Sequence, residues 1–472
     1  MDQSTYERKK REYLRKKRRN RQIRKYLTVF ALLMALVCVV LLIVLGLGRI
    51  GKKHTGDGHG DIRPTEVQNT KKPTATATPE PSPTPSPTPT PSPTPNVVSM
   101  VAVGDNLYDW DMLEDGYNKE DGSFNFDGYY DNIAPYAKMA DFAVINQETP
   151  LGGDGGYRGS DVEQQYIGSR NRWGSYHGYA QFNTPYEVAI EFMEAGFNVV
   201  TSATNHTSDH GIEALHATLD FWKKYPNVTV LGIHDSPESR DTITVLEKYG
   251  IKIAVMNYTY GLNLNSAIKA EAFSVDLLEK ERVKNDVEKA KQIADFVVVF
   301  VHWGTEYSLS ASSYQKDWAK RFAEYGVDAV VGAHPHICQP MEIITRPDGK
   351  TMPVYYSLGN FLSMFKTANC ELEGMAYLEF YKNGDEKYVK ESTMIPLVNH
   401  FSYDSSRFRQ RCHFTVYALQ DYTEELAKSH GCLKFGDGAG FSLNRMQQLA
   451  DSLWAGHIKT VDWSVTTEAA DR

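Results

Sequence analysis

The chain has no C-x-x-C pair and only five cysteines in 472 residues. A thiolate metal site therefore has no support from spacing. Cys38 falls in an apolar run, and the other four, Cys338, Cys370, Cys412 and Cys432, allow three complete pairings. Spacing does not choose among them. The plain reading is small buried residues, with or without one bridge. Self-similarity at a period of about 20–50 residues is also lacking, which excludes solenoids and propellers.

Positive charge is scarce beyond the amino terminus. Residues 1–25 carry twelve Lys/Arg against three Asp/Glu, a net +9; the whole chain is −8, so residues 26–472 carry −17. Phosphate backbones are held mainly by Lys and Arg that displace counterions. An acidic main body argues against nucleic acid as a partner.

Charge of either sign is missing from Tyr26 to Gly48. About 20 apolar residues cross the hydrocarbon core as one helix, and a basic flank stays in the cytoplasm. The expectation is a single-pass cell-membrane protein, with its amino terminus cytoplasmic and its main domain extracellular. A cleaved secretory signal is the rival, but its apolar part spans only about 7–15 residues and ends in an A-x-A-like site. Here the run passes into Leu47-Gly48-Arg49-Ile50-Gly51-Lys52 with no such site, so an uncleaved anchor fits better. The basic tail suits anionic lipid on the cytoplasmic face.

Beyond Gly48 the chain divides by composition. Residues 49–95 lack periodicity, and 73–95 are almost entirely Pro, Thr and Ser. Such a segment prefers polyproline II at about 3.1 Å per residue, a reach of roughly 70 Å. A stalk through cell-wall polymer and an inert tether suit this composition equally. The organisation is thus a basic tail (1–25), a membrane helix (26–48), a linker (49–95), a globular domain (96–398) and a carboxyl-terminal appendage (399–472), where the patterning blurs.

In the globular part, apolar β-branched runs alternate with helical stretches. Strands are expected at 97–103, 142–145, 198–201, 228–231, 251–256, 296–301 and 327–331. Helices are expected from Thr184 (N-cap, with Pro185 at N1 and Glu187 at N3) to Gly196, and over 211–224, 275–295 and 314–325. Further strands are expected at 354–357, 375–381 and 388–395, the last two joined by the turn Lys382-Asn383-Gly384-Asp385. This is a layered α/β pattern.

Polar residues come directly after those runs. Asp105, Glu148, Asn205, His206, His302, His334 and His336 each lie at or just past a strand end, where open α/β sheets gather ligands and metals. One such histidine alone is more often simply hydrogen-bonded structure. The pair His334 and His336 is stronger, because Pro335 should keep the segment extended and alternate side chains then point the same way. Imidazole suits Zn, Mn and Fe, and carboxylates beside it make the mixture that holds two divalent ions about 3.5–4 Å apart. Asp209 reads either as a helix N-cap or as a pocket residue. Glu306 reads either as an acceptor orienting an imidazole or as a solvated loop carboxylate.

The ordered blocks resemble the bacterial capsule-synthesis CapA family (poly-gamma-glutamate synthesis), within the calcineurin-like metallophosphoesterase superfamily. They are Val103-Gly104-Asp105, Ile145-Asn146-Gln147-Glu148-Thr149-Pro150, Ala203 to Gly211 (A-T-N-H-T-S-D-H-G), Val301 to Tyr307 (V-H-W-G-T-E-Y), Gly332 to Pro340 (G-A-H-P-H-I-C-Q-P) and Tyr356-Ser357-Leu358-Gly359-Asn360-Phe361. The resemblance implies a four-layer β-sandwich flanked by helices. It implies Asp105, Glu148, Asn205, His302, His334 and His336 as ligands of one or two ions (Mn, Zn or Fe), with Glu148 at the bridging position. His206 would face the substrate, and Asn360 would line the pocket. The implied partners are an anionic surface polymer and membrane-bound polymer synthase subunits. One departure is plain. The superfamily's D-x-H opening is Asp105-Asn106-Leu107 here, and its G-D-x-x-D block is Asn146-Gln147-Glu148, so one metal position is a ligand short; CapA-like proteins share this departure. Three functions remain open: metal-assisted hydrolysis or transfer, a non-catalytic polymer-binding or synthase-complex role, and a generic extracytoplasmic metallophosphoesterase.

Overall fold

The computed structural model describes residues 96–153, 176, 178–179 and 181–462. The basic tail, the membrane helix and the Pro/Thr/Ser-rich linker lie outside the described residues. Among those described, no helix is long and apolar enough to cross a membrane.

The chain is a mixed α/β fold built on two sheets. In chain order the strands are β1 (Val97–Asn106), β2 (Phe142–Gln147), β3 (Val199–Thr201), β4 (Thr229–Leu231), β5 (Thr244–Lys248), β6 (Ile251–Thr259) and β7 (Phe296–His302). They continue with β8 (Ala329–Ala333), β9 (Met341–Thr345), β10 (Thr351–Tyr355), β11 (Asn360–Leu362), β12 (Leu372–Asn383), β13 (Glu386–Tyr403) and β14 (Arg411–Ala418). The first sheet has the order β14-β13-β12-β1-β2-β3-β4, with β11 also pairing β1; the second has the order β5-β6-β7-β8-β10-β9. β1 to β4 run parallel to one another, as do β6, β7, β8 and β10. The carboxyl ends of each parallel set therefore open at one edge of its sheet.

The alternation in β7 shows how the layers form. Every residue of Phe296–His302 is buried, as expected of a parallel strand covered on both faces. Val297, Val299 and Val301 pack with Val283 and Val287 of the helix Lys280–Ile293 and with Trp318 and Phe322 of the helix Ser313–Tyr325. Phe296, Val298 and Phe300 point the other way, into a core shared with β1, β12 and β13 of the first sheet. There Phe296 and Phe380 bring their ring centroids to 5.1 Å, and the Tyr355 hydroxyl donates across the gap to the carbonyls of Tyr377 and Thr393. Burying each such Val or Phe contributes about 1.5–3 kcal/mol.

Several local expectations change. The helix expected from Thr184 begins instead at Glu187, with no side-chain cap from Tyr186; the Thr184 hydroxyl donates to that of Thr149. The helix expected over 275–295 spans Lys280–Ile293, because Val275 and Leu277 bridge to Ile233 and Thr259. The four described cysteines are free and buried, with no bridge among them; the Cys338 thiol donates to backbone carbonyls. Finally, the chain past residue 398 continues the first sheet. β13 crosses that point and pairs with β14, and the helix Leu443–Trp454 packs its Met446, Ala450 and Trp454 into the same core.

Candidate metal centre

The parallel strand ends of both sheets deliver their polar residues to one place. Asp105 lies opposite Asn146 of β2 and Asn360 of β11. It can do so because Gly104, just before it, lies against the Gly359 carbonyl, where a Cβ has no room. His302 is the last residue of β7 and pairs with Ala333, which sets His334 one step beyond β8. Asn205 and His206 sit in a turn fixed by hydroxyls: Thr207 Oγ1 donates to Ser202 O at 2.6 Å, and Thr204 Oγ1 donates to Glu148 O at 2.9 Å.

The geometry is close. His302 Nε2 is 2.8 Å from Asn205 Oδ1 and 3.5 Å from Glu148 Oε1. His336 Nδ1 is 3.2 Å from Asp105 Oδ2, 3.8 Å from Glu148 Oε2 and 3.1 Å from Asn360 Oδ1. Two triads, Glu148–His302–His334 and Asp105–Glu148–His336, each bring one donor atom per residue within 4.8 Å of one another, and Glu148 belongs to both. The six expected ligands are therefore neighbours, all buried.

The route to this arrangement differs from the expected extended segment. His334 has φ +102° and His336 φ +55°, so the peptide curls around Pro335. The backbone N–H of His334 then reaches the Asp105 carboxylate at 3.2 Å.

Charges in the cluster are shifted strongly. Burial pushes the Asp105 carboxyl up, and the neighbouring Glu148 charge adds to that. Burial opposes charge on Glu148 too, but His336, His302 and His206 together bring it down to about 2. Burial likewise opposes a proton on His336, yet Glu148 and Asp105 raise it to about 9. Burial, with His302 and His336 beside it, drives His334 down to about 2.

These residues fit a divalent ion. Neither Glu148 oxygen has a hydrogen-bond partner, nor has His334 Nδ1, although all are buried. The nearest ring nitrogens, of His302 and His336, stand 3.5 and 3.8 Å from those oxygens, and a buried carboxylate without a direct hydrogen bond is costly in a way that a coordinated cation relieves. Three imidazoles, two carboxylates and an amide oxygen are donors suited to Zn, Mn or Fe.

The remaining candidates divide. His206 Nδ1 lies 2.7 Å from Asp209 Oδ2, which also accepts from Phe182 N, while the Phe182 ring stands edge-on at 4.7 Å. Asp209 is thus an imidazole partner; the N-cap of the next helix is His210, whose ring makes no capping hydrogen bond and instead meets the Gln181 carbonyl at 3.1 Å. Asn360 holds His336 at two points, through Oδ1 and through an Nδ2 donation to its carbonyl at 3.0 Å. Glu306 is exposed, and no imidazole among the described residues takes it as a hydrogen-bond partner. Leu107 is buried and gives its N–H to Leu362 O.

Two contributors escaped the sequence reading. Asn146 donates to Asp105 Oδ1 at 2.7 Å and is itself fixed by the Thr201 hydroxyl at 2.8 Å. Tyr260 lays its ring 4.7 Å from that of His334. The signal for Asn146 was its place beside Glu148; Tyr260 carried none.

The fold and the cluster together define a two-sheet α/β protein whose buried carboxylate, imidazole and amide donors meet at its strand ends in groups that fit a divalent cation. The bacterial capsule synthesis protein family (PGA_cap) matches residues 99–364, more than half of the chain, and the chain belongs to that family. It is similar to the PGA biosynthesis protein CapA of Bacillus subtilis (strain 168), with 25% identity over 280 residues, 57% of this chain and 67% of that one. It is also similar to the capsule biosynthesis protein CapA of Bacillus anthracis, with 25% identity over 244 residues; this covers 51% of the chain and only 54% of that relative. Among solved structures, a calcineurin-like phosphoesterase YfkN from Bacillus subtilis aligns at 12% identity with a TM-score of 0.34, covering 64% of this chain and 90% of that one.

Proposed function

We propose that this is a membrane-anchored member of the capsule-synthesis family, acting on an anionic surface polymer such as poly-gamma-glutamate. Its step would be synthesis, export or attachment, beside membrane-bound synthase subunits, on a four-layer fold of the metallophosphoesterase kind. The observation that carries the metal-dependent reading is the pair of triads sharing Glu148, whose two oxygens have no hydrogen-bond partner.

Asp105, Glu148, Asn205, His302, His334 and His336 would hold one or two ions, Mn, Zn or Fe. A bound ion would lower the pKa of a coordinated water toward neutrality and polarise the scissile group. The chain's own residues do the rest. Burial works against a proton on His206, but the Asp209 bond and the Asp209 and Glu148 charges raise its pKa. With Nδ1 tied to Asp209, Nε2 is the atom left to give a proton to a leaving group, a contribution of about 10²–10⁴-fold in rate. Asn146 fixes the Asp105 carboxylate, and Asn360 fixes the His336 ring.

Leu107, buried where the superfamily pattern has a histidine, favours a second reading: one ion that bridges protein and polymer without catalysis. Both readings meet one experiment on the full-length chain. Elemental analysis should find at least one divalent ion per chain, and His206→Ala should keep that ion. Loss of surface polymer in cells carrying His206→Ala favours catalysis, and normal polymer favours the bridging role. A metal-supplemented chain that binds no ion refutes both.

A further inference from the structure

Among the described residues one other group offers mixed donors to a common point. Glu371, His430 and Cys432 each place one donor atom within 4.8 Å of the others. All three are buried to within 1% of full coverage. They lie beyond residue 364, where the family match ends, and the metal-dependent function of the strand-end centre does not use them. Glu371 directly precedes β12, while His430 and Cys432 open the short 3-10 turn Gly431–Lys434. The group therefore joins the first sheet to the carboxyl-terminal helices.

Its polar atoms are arranged unevenly. Glu371 Oε2 accepts from Asn399 Nδ2 at 2.9 Å and stands 3.8 Å from His430 Nε2, whereas Oε1 has no hydrogen-bond partner. Cys432 is a free thiol. His430 Nδ1 accepts the Cys432 amide at 3.0 Å, so its proton sits on Nε2 and goes to the Asn399 carbonyl 2.9 Å away. Burial pushes Glu371 and Cys432 up and His430 down to about 3. An unpartnered carboxyl oxygen thus lies buried beside a free thiol and an imidazole, and the carboxyl and thiol are groups whose protons a cation can replace.

We propose that Glu371, His430 and Cys432 form a second, structural cation site of zinc type, with the Asn399 carbonyl as its fourth donor. Cysteine sulfur, imidazole nitrogen and carboxylate oxygen are donor types that zinc takes, and the Asn399 carbonyl already stands 2.9 Å from His430 Nε2. On binding, the Glu371 and Cys432 protons leave for solvent. The imidazole proton moves from Nε2 to Nδ1, which frees Nε2 for the ion and releases the Cys432 amide. The bound ion would clamp the carboxyl-terminal turn to the end of β12.

Sulfur makes the test specific, because the centre at the strand ends has no thiolate donor. The full-length chain, stripped of metal and titrated with Co²⁺, should develop a thiolate-to-cobalt charge-transfer band in the near ultraviolet. Cys432→Ser should abolish that band and Asp105→Asn should leave it, so failure here is distinct from failure of the first centre. If Cys432→Ser does not fold, X-ray absorption of the zinc-loaded wild-type chain answers the same question through a sulfur neighbour at about 2.3 Å. A wild-type chain with neither the band nor the sulfur neighbour overturns the proposal. So does a band that persists in Cys432→Ser.

Discussion

His302 Nε2 stands 2.8 Å from Asn205 Oδ1, so one hydrogen bond ties the last residue of β7 in the six-stranded sheet to the loop after β3 in the eight-stranded sheet. Asn205→Ala breaks this tie. It should weaken divalent-ion binding by at least about tenfold, the lower end for lost groups around a metal. Leaving a buried ring nitrogen unpaired should also cost about 1–3 kcal/mol of stability. Isothermal titration and urea unfolding measure the two effects; unchanged ion affinity would reduce Asn205 to a spacer.

Asp209 acts on the proposed chemistry through His206. Asp209→Asn keeps a hydrogen-bonding side chain but removes the charge that helps raise the His206 pKa. Ion content should be unchanged, while any chelator-sensitive polymer cleavage should lose its activity at the alkaline end first, because His206 gives up its proton at lower pH. The pH–rate profile of the variant checks this. A profile that falls uniformly, without shifting, would assign Asp209 a purely structural part.

Stability should depend on pH through Glu191. Burial, then Asp127, Glu194 and Asp131, raise its carboxyl to about 7. A folded-state pKa above the unfolded value means that the unfolded chain loses this proton first. The stabilising contribution is complete below about 4.5 and declines as pH rises to about 7, staying lost above that. Because Glu191 is largely solvated, the effect should be small. Glu191→Gln should melt higher than wild type at pH 8 and alike at pH 4.5; an equal difference at both pH values would rule out titration as the cause.

Gly104→Ala tests the close approach of β1 and β11. The added methyl meets the Gly359 carbonyl, and overpacking of this kind typically costs about 1–3 kcal/mol. The displaced strand carries Asn360, so ion affinity should fall with stability. Denaturant midpoints and ion titration on the same sample give both numbers, and a variant as stable as wild type would show that β11 yields freely.

The strands were legible because buried parallel strands read as apolar runs, as in Phe296 to Val301, and the site was legible because its polar residues come directly after those runs. What the sequence concealed was settled by partners distant in the chain. The Thr184 hydroxyl found Thr149, Val275 found Ile233, and β13 and β14 were absorbed into the first sheet. Pro335 suggested an extended chain, but the Asp105 carboxylate takes the His334 amide, and a local rule gave way to a contact 229 residues distant in the chain.

The curled peptide at His334-Pro335-His336 has a further consequence. Left-handed backbone at residues bearing a Cβ costs about 1–3 kcal/mol each, and these two histidines both adopt it. Glycine at either position would relax the turn and remove an imidazole from the cluster. Fold stability and cation capture thus pull in opposite directions at the same two positions. Selection for heat resistance in chelator should drift toward glycine there, whereas selection with metal present should retain histidine.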